Sequence, residues 1–136
     1  MQVALTIQEC EATLAAIVRL KFDESGDVPE PYFGSPFVAD AASKMLQAVL
    51  DESDRTEDRG RAAGWRRWAQ WSNRGTEPPI VVRYLSSSAP WDTWTRAERV
   101  SCLRICAAPF ILSESDVEAL LAAVDTERHG VRPTGS

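Results

Sequence analysis

Three of the five tryptophans, Trp65, Trp68 and Trp71, fall inside seven residues of the stretch Gly64-Trp65-Arg66-Arg67-Trp68-Ala69-Gln70-Trp71. In a helix successive residues turn by ~100°, so the three indoles form a drifting stripe ~120° wide that also takes in Ala69 and Ser72. Arg66, Arg67 and Gln70 fall on the other side. An aromatic area this large on one short helix must be covered by other segments or by a partner, because such a patch is unusual on a soluble monomer. The stripe therefore predicts a core helix over about residues 61–73, at the centre of the fold, with Trp65 and Trp68 mostly buried and its arginines reaching into water. Gly75 is placed to end that helix in a left-handed conformation.

The rest of the chain supplies helices to cover it. Thr6-Ile7-Gln8-Glu9 is a capping-box pattern, and Ile7, Cys10, Leu14, Ile17 and Val18 then recur at spacings of three and four, which predicts a helix over 7–22. Residues 23–36 contain three prolines, two glycines and four acids and cannot continue it, leaving a long loop of the kind that is often functional. Ser35-Pro36 opens a second helix with the apolar face Val38, Ala41, Ala42, Met45, Val49 and Leu50, ending near Glu52. Residues 51–59 are a mixed-charge run without an apolar side chain. After Pro78-Pro79, the run Ile80-Val81-Val82-Arg83-Tyr84-Leu85 has strong β propensity but lacks an obvious pairing partner, so a short helix opened by the prolines is favoured over a strand. Asp92 or Thr95 caps a helix with Ala97, Val100, Leu103, Ala107 and Phe110 inward, ended or kinked by Pro109. Ser113 opens the last helix, with Val117, Leu120, Leu121 and Val124 inward and Gly130 past its end. Together these predict an all-α fold, an irregular bundle of five to six short amphipathic helices with at most one minor strand pair. At 136 residues it is expected to be one domain over 1–130, followed by a frayed tail at 131–136.

The net charge of −5 is unevenly spread. Residues 1–58 carry twelve acids and four bases, residues 59–112 three acids and nine bases, and residues 113–136 five acids and two bases. An acidic, basic, acidic chain either pairs its segments internally or presents one sign as a steering surface. Neither a signal-peptide pattern nor an apolar run of about eighteen residues is present, and three cysteines without framework spacing fit a reducing compartment, so a cytoplasmic location is expected.

Residue types that carry common chemistries are sparse. The one histidine, His129, sits beside Gly130 at the expected end of the last helix, where contact with that helix's terminal carbonyls is the natural reading. Cys102 and Cys106 share a helix face, but a structural zinc site needs four ligands, so they read as small buried hydrophobes and no metal or cofactor is expected. A glycine-rich phosphate cradle is absent. The expected function is therefore a small non-catalytic protein-binding domain, most concretely a bacterial immunity or antitoxin-type protein that blocks a basic partner enzyme through an acidic surface. The residues expected to carry binding are Asp23, Glu24, Asp27 and Glu30 on the long loop, Tyr32 and Phe33 as aromatic anchors beside them, and Asp51, Glu52 and Asp54 after the second helix. The alternative is a single-stranded nucleic-acid module in which Arg59, Arg61, Arg66, Arg67 and Arg74 meet phosphates and the interleaved tryptophans stack on bases. The acidic total and a pI near 4.9 weigh against it. A small enzyme using carboxylates and arginines is a third reading.

Overall fold

A computed structural model describes residues 1–22 and 32–130, and among them the chain forms six α-helices and two short 3₁₀ turns. The helices are α1 (Ile7–Lys21), α2 (Pro36–Arg55), α3 (Arg59–Ala69), α4 (Glu77–Ser86), α5 (Arg96–Ala107) and α6 (Glu114–His129). The 3₁₀ turns span Trp71–Asn73 and Ala89–Thr93. This is the all-α bundle expected, and residues 80–85 lie within α4, where Pro78 and Pro79 occupy the first turn and lose no intrahelical hydrogen bond.

Local sequence sets the helix starts. Thr6, Thr95 and Ser113 each accept from the third helical residue while Glu9, Glu98 and Asp116 return a carboxylate to the cap N–H, so α1, α5 and α6 all begin on complete capping boxes. Ser35 caps α2 ahead of Pro36, and Asp58 caps α3. Helix α2 runs one turn beyond its expected end, to Arg55, and the chain reverses through Glu57 at a left-handed φ of 60°. Gly130 ends α6 in the left-handed conformation.

The tryptophan segment departs from the simple stripe. Helix α3 stops at Ala69 because Gln70 turns extended (φ −72°, ψ 122°) and forms an isolated parallel bridge with Ile111. Ile111 N–H donates to the Ala69 carbonyl at 2.8 Å and Trp71 N–H to the Ile111 carbonyl at 3.0 Å. Gly75 is not left-handed and plays no part in ending the helix. The break rotates Trp71 into the core at 4% exposure, while Trp65 and Trp68 remain half-buried. The expectation that Trp65 and Trp68 are mostly buried thus fails in degree, because their stripe lies along the seam between α3 and α1 and not beneath a full layer of helices.

Helix α2 packs on both α1 and α3, helices α4, α5 and α6 pack on one another, and α2 against α5 joins the two groups. A small cluster built on Leu14, Ala42, Leu46, Leu50 and Ala69 lies in the first group. A larger one around Trp71, Trp91, Leu85, Leu103 and Phe110 fills the second. Trp68 packs against both, edge-on to Trp65 (centroids 5.2 Å, 78°) and tilted on Phe110 (5.0 Å), so it is the joint between the two halves. Trp91 is wholly buried, its Nε1 donating to Asp125 at 2.9 Å and its ring under the Arg99 guanidinium at 5.0 Å. Burial of side chains of this size stabilises the fold by roughly 1.5–3 kcal/mol each. Ala97, expected inward, is exposed.

At Gly34 the lack of a side chain matters, because the Tyr84 ring comes close. A Cβ there would lie 2.7 Å from the Tyr84 hydroxyl oxygen, so the glycine lets the turn before α2 close over α4 and seat Phe33 against the Tyr84 ring (centroids 4.6 Å).

Candidate functional site

Asp23, Glu24, Asp27 and Glu30 lie outside the described residues, as does the tail from Val131. Immediately after that segment the chain separates the two aromatic residues expected to act together. Phe33 is completely buried, packed edge-on against Phe22 (5.6 Å, 78°), whereas Tyr32 is 48% exposed. Phe33 is therefore a core anchor and not a contact residue. Adjacent residues in a turn point to different sides, and only Phe33 faces the Phe22 and Tyr84 rings.

Tyr32 has a partner that sequence reasoning missed. Phe37, in the first turn of α2, is 84% exposed, and Leu20 at the end of α1 is 52% exposed. With Ile17, Val38 and Ala41 they line a groove of about 280 Å³ whose surface is almost wholly apolar. The signal was present in the helix phase. Phe37 precedes Val38 and falls outside the Ala42–Leu46–Val49 stripe, so a large aromatic residue on the polar side of α2 marks an exposed position. Contiguous apolar surface with two aromatic side chains is the composition of a binding hot spot.

Asp51, Glu52 and Asp54, expected after the second helix, lie in the last turns of α2 because the helix runs on to Arg55, and they are engaged within the chain. Glu52 pairs with Arg55, Asp51 accepts from Gln47 Nε2 at 2.8 Å, and Asp54 pairs with Arg66 of α3. The Arg66 hydrogen bond, only partly opposed by desolvation, holds the Asp54 carboxyl below its ordinary range. The negative first block and the positive middle block of the sequence thus meet at the α2–α3 junction and neutralise each other there.

The same pairing removes most of the basic stretch. Arg61 and Trp65 Nε1 both donate to Glu11 of α1, the indole at 3.1 Å. Arg74 lies over the Phe110 ring at 4.6 Å and the Trp68 ring at 5.6 Å while pairing with the buried carboxylate of Glu77 at 2.8 Å. Arg59 and Arg67 have no carboxylate at ion-pair distance among the described residues. With Trp71 in the core and Trp68 wedged between clusters, the row of phosphate contacts and open ring faces that single-strand binding needs is not assembled.

The remaining titratable groups are placed by packing. His129 meets Asp92 at 3.2 Å across the α6 terminus, and not the carbonyls of its own helix; Arg128 beside it chiefly lowers the Asp92 pKa. Arg128 also donates to the carbonyls of Ser86, Ser88 and Ala89, stapling α6 to the end of α4. Cys106 is buried among apolar side chains, which pushes its thiol up to about 12, and Cys102 is raised for the same reason. Among the described residues, no three His, Cys, Asp or Glu side chains come close enough to hold a metal ion.

Lys21, unremarked in the sequence, is the most unusual of these groups. It is 1% exposed, and its ammonium donates to the carbonyls of Ile105 (2.9 Å) and Ala108 (2.8 Å) at the end of α5. The rings of Phe22 and Phe33 lie 5.6 and 5.5 Å from it. Burial lowers its pKa to about 8, against a smaller opposing influence from Cys106. Lys21 satisfies carbonyls that the helix terminus leaves without intrahelical partners, and so ties α1 to α5. Set against known proteins, the chain matches no family model, curated protein or solved structure, so a functional reading rests on the surfaces described above.

Proposed function

We propose that this chain is a small non-catalytic protein-binding domain, most concretely a toxin-neutralising protein of the bacterial immunity or antitoxin type, acting in the cytoplasm on a basic partner enzyme. The observation that supports the reading is the apolar groove bounded by Leu20, Tyr32 and Phe37, with aromatic side chains that the core leaves out. The segment joining Phe22 to Tyr32 carries Asp23, Glu24, Asp27 and Glu30, so acids and aromatic anchors are neighbours along the chain. In such a pairing the acids accelerate encounter with a cationic partner and the anchors slow its departure. Asp51, Glu52 and Asp54, already paired within the domain, contribute less to this surface.

The test is capture of the partner on immobilised protein, followed by binding kinetics for the parent, for Tyr32→Ala/Phe37→Ala and for Asp23→Lys/Glu24→Lys/Asp27→Lys. The aromatic variant should raise the dissociation rate roughly tenfold or more, the scale of one lost hot spot. The charge reversal should slow association and flatten its salt dependence, and the captured protein should be an enzyme that the parent inhibits. A captured partner whose binding is indifferent to both variants would refute the reading.

A further inference from the structure

We propose that the junction of α2 and α3 carries a binding site for a small zwitterion of the α-amino-acid type, at the opposite end of α2 from the Tyr32–Phe37 groove. The cavity there has a volume of about 500 Å³, within the roughly 300–1,000 Å³ usual for ligand clefts. It is lined by Ser53 of α2, by Glu57 of the turn and by Arg59, Ala62 and Ala63 of α3, and the Asp54–Arg66 ion pair completes its wall.

Ser53 is the observation that singles the cavity out. It is 2% exposed, and its hydroxyl has no hydrogen-bond partner among the described residues; Thr56 Oγ1 donates only to its backbone carbonyl, at 3.3 Å. A serine in a helix can satisfy its hydroxyl on the carbonyl one turn earlier, and a buried polar group without a partner costs stability. Yet among the described residues no side-chain oxygen or nitrogen sealed from solvent lacks a partner. The Ser53 oxygen therefore opens onto the cavity that Ser53 lines, where it is free to hydrogen-bond an occupant.

The charges around that hydroxyl choose the occupant. Glu57 holds a left-handed φ of 60°, which glycine or asparagine would adopt with less strain, and its carboxylate makes no ion pair or hydrogen bond among the described residues. Arg59, in the first turn of α3, is likewise without a carboxylate at ion-pair distance. Asp54 and Arg66 already neutralise each other. The cavity thus offers one open anion and one open cation. A ligand of a single charge would be drawn to one and repelled by the other, and a neutral one would leave both unused. A molecule with an ammonium and a carboxylate on one carbon meets Glu57 and Arg59 together, its carboxylate on the side where the α3 dipole also favours negative charge. Ala62 and Ala63 leave room and a small apolar surface for its side chain.

Titration of the ¹⁵N-labelled protein with L-leucine, followed at the backbone amides of Ser53, Ala62 and Ala63, tests the assignment. Two analogues each keep one charge: isopentylamine is leucine without its carboxylate, and 4-methylpentanoate is leucine without its ammonium. Leucine should shift those amides saturably, and each analogue should bind at least about fivefold more weakly, the scale of one exposed charge contact. Ser53→Ala gives up an unpartnered hydroxyl, so it should melt no lower than the parent yet bind leucine about fivefold more weakly, the scale of one hydrogen bond. Glu57→Gly relieves the strained turn, so it too should melt no lower, and it should lose the preference for leucine over 4-methylpentanoate. Should Ser53→Ala melt early, Glu57→Gly, at an exposed position, carries the test. Shifts that do not saturate, equal affinity for leucine and either analogue, or undiminished binding by the folded variants would each overturn the proposal. Saturable shifts centred on Tyr32 and Phe37 would overturn it as well, because they would assign leucine to the apolar groove through its side chain alone.

Discussion

Replacing Lys21 by methionine keeps most of the side-chain volume and removes only the ammonium, which makes Lys21→Met a direct probe of the link between α1 and α5. Two opposing effects set its magnitude. The ammonium makes hydrogen bonds to two carbonyls at 2.9 and 2.8 Å, and bonds to a charged group contribute roughly 1.5–3 kcal/mol each. Against this stands its desolvation: a pKa held at about 8 instead of 10.5 corresponds to roughly 3 kcal/mol of disfavoured charge. The variant escapes that cost but leaves the Ile105 and Ala108 carbonyls short of a partner. The net expectation at pH 7 is a loss of about 1–3 kcal/mol. The pH dependence is more telling than the size. Because the folded pKa lies below the unfolded one, the folded state binds fewer protons between about pH 8 and 10.5, and stability from this residue rises across that window. Cys106, whose pKa of about 12 is raised by burial, has the opposite slope above pH 9, but it is present in both proteins and largely cancels in the difference. Urea denaturation of parent and variant at intervals from pH 7 to pH 10 should therefore show the gap widening by roughly 2–3 kcal/mol. A variant as stable as the parent at pH 7, or a gap that narrows with rising pH, would refute the account of Lys21 as a buried, carbonyl-bound ammonium.

Trp68→Ala removes the side chain that belongs to both apolar clusters and should destabilise the domain by about 3 kcal/mol, the low end for a large aromatic because Trp68 is only half-buried; a thermal melt identical to the parent's would contradict it. Glu77 is 4% exposed, and although burial pushes its pKa up, the Arg74, Thr76 and backbone hydrogen bonds together pull it below the ordinary value. Its stabilising contribution is thus present above the unfolded carboxyl pKa and fades as pH falls through the folded one, so Glu77→Gln should cost stability at pH 7 and converge on the parent in acid, as denaturation at graded pH will reveal. Single-stranded DNA should bind only weakly at physiological salt, since the net charge is −5 and three of the five arginines between 59 and 74 are paired; submicromolar, salt-sensitive fluorescence anisotropy that vanishes in Arg66→Ala/Arg67→Ala would reverse that expectation.

Local chemistry in the sequence determined the elements of this protein. Capping boxes at Thr6, Thr95 and Ser113, Pro36 after Ser35 and the paired prolines before Ile80 act over three or four residues, so they are legible without knowing the neighbours. The stripes of α2 and α6 were legible for the same reason, and they predicted the bundle. Where a distant strand of backbone intervenes, the sequence is silent. Helix α3 ends at Ala69 because Ile111, forty-odd residues on, competes for the Ala69 carbonyl and the Trp71 N–H. That competition sends Trp71 to the core and leaves Trp65 and Trp68 on a seam. The destinations of Tyr32 and Phe33 were likewise decided by tertiary packing, because which of two adjacent aromatics is buried depends on where Phe22 and Tyr84 lie. Charge followed the same division: the acidic and basic blocks are plain in the sequence, but only the approach of α1 and α2 to α3 decided that Glu11 meets Arg61 and Asp54 meets Arg66. Lys21 shows the limit most clearly. A lysine at the end of an amphipathic helix ordinarily points to water, and its burial follows from the end of α5, eighty-four residues away, presenting unpaired carbonyls at the one place its ammonium can reach.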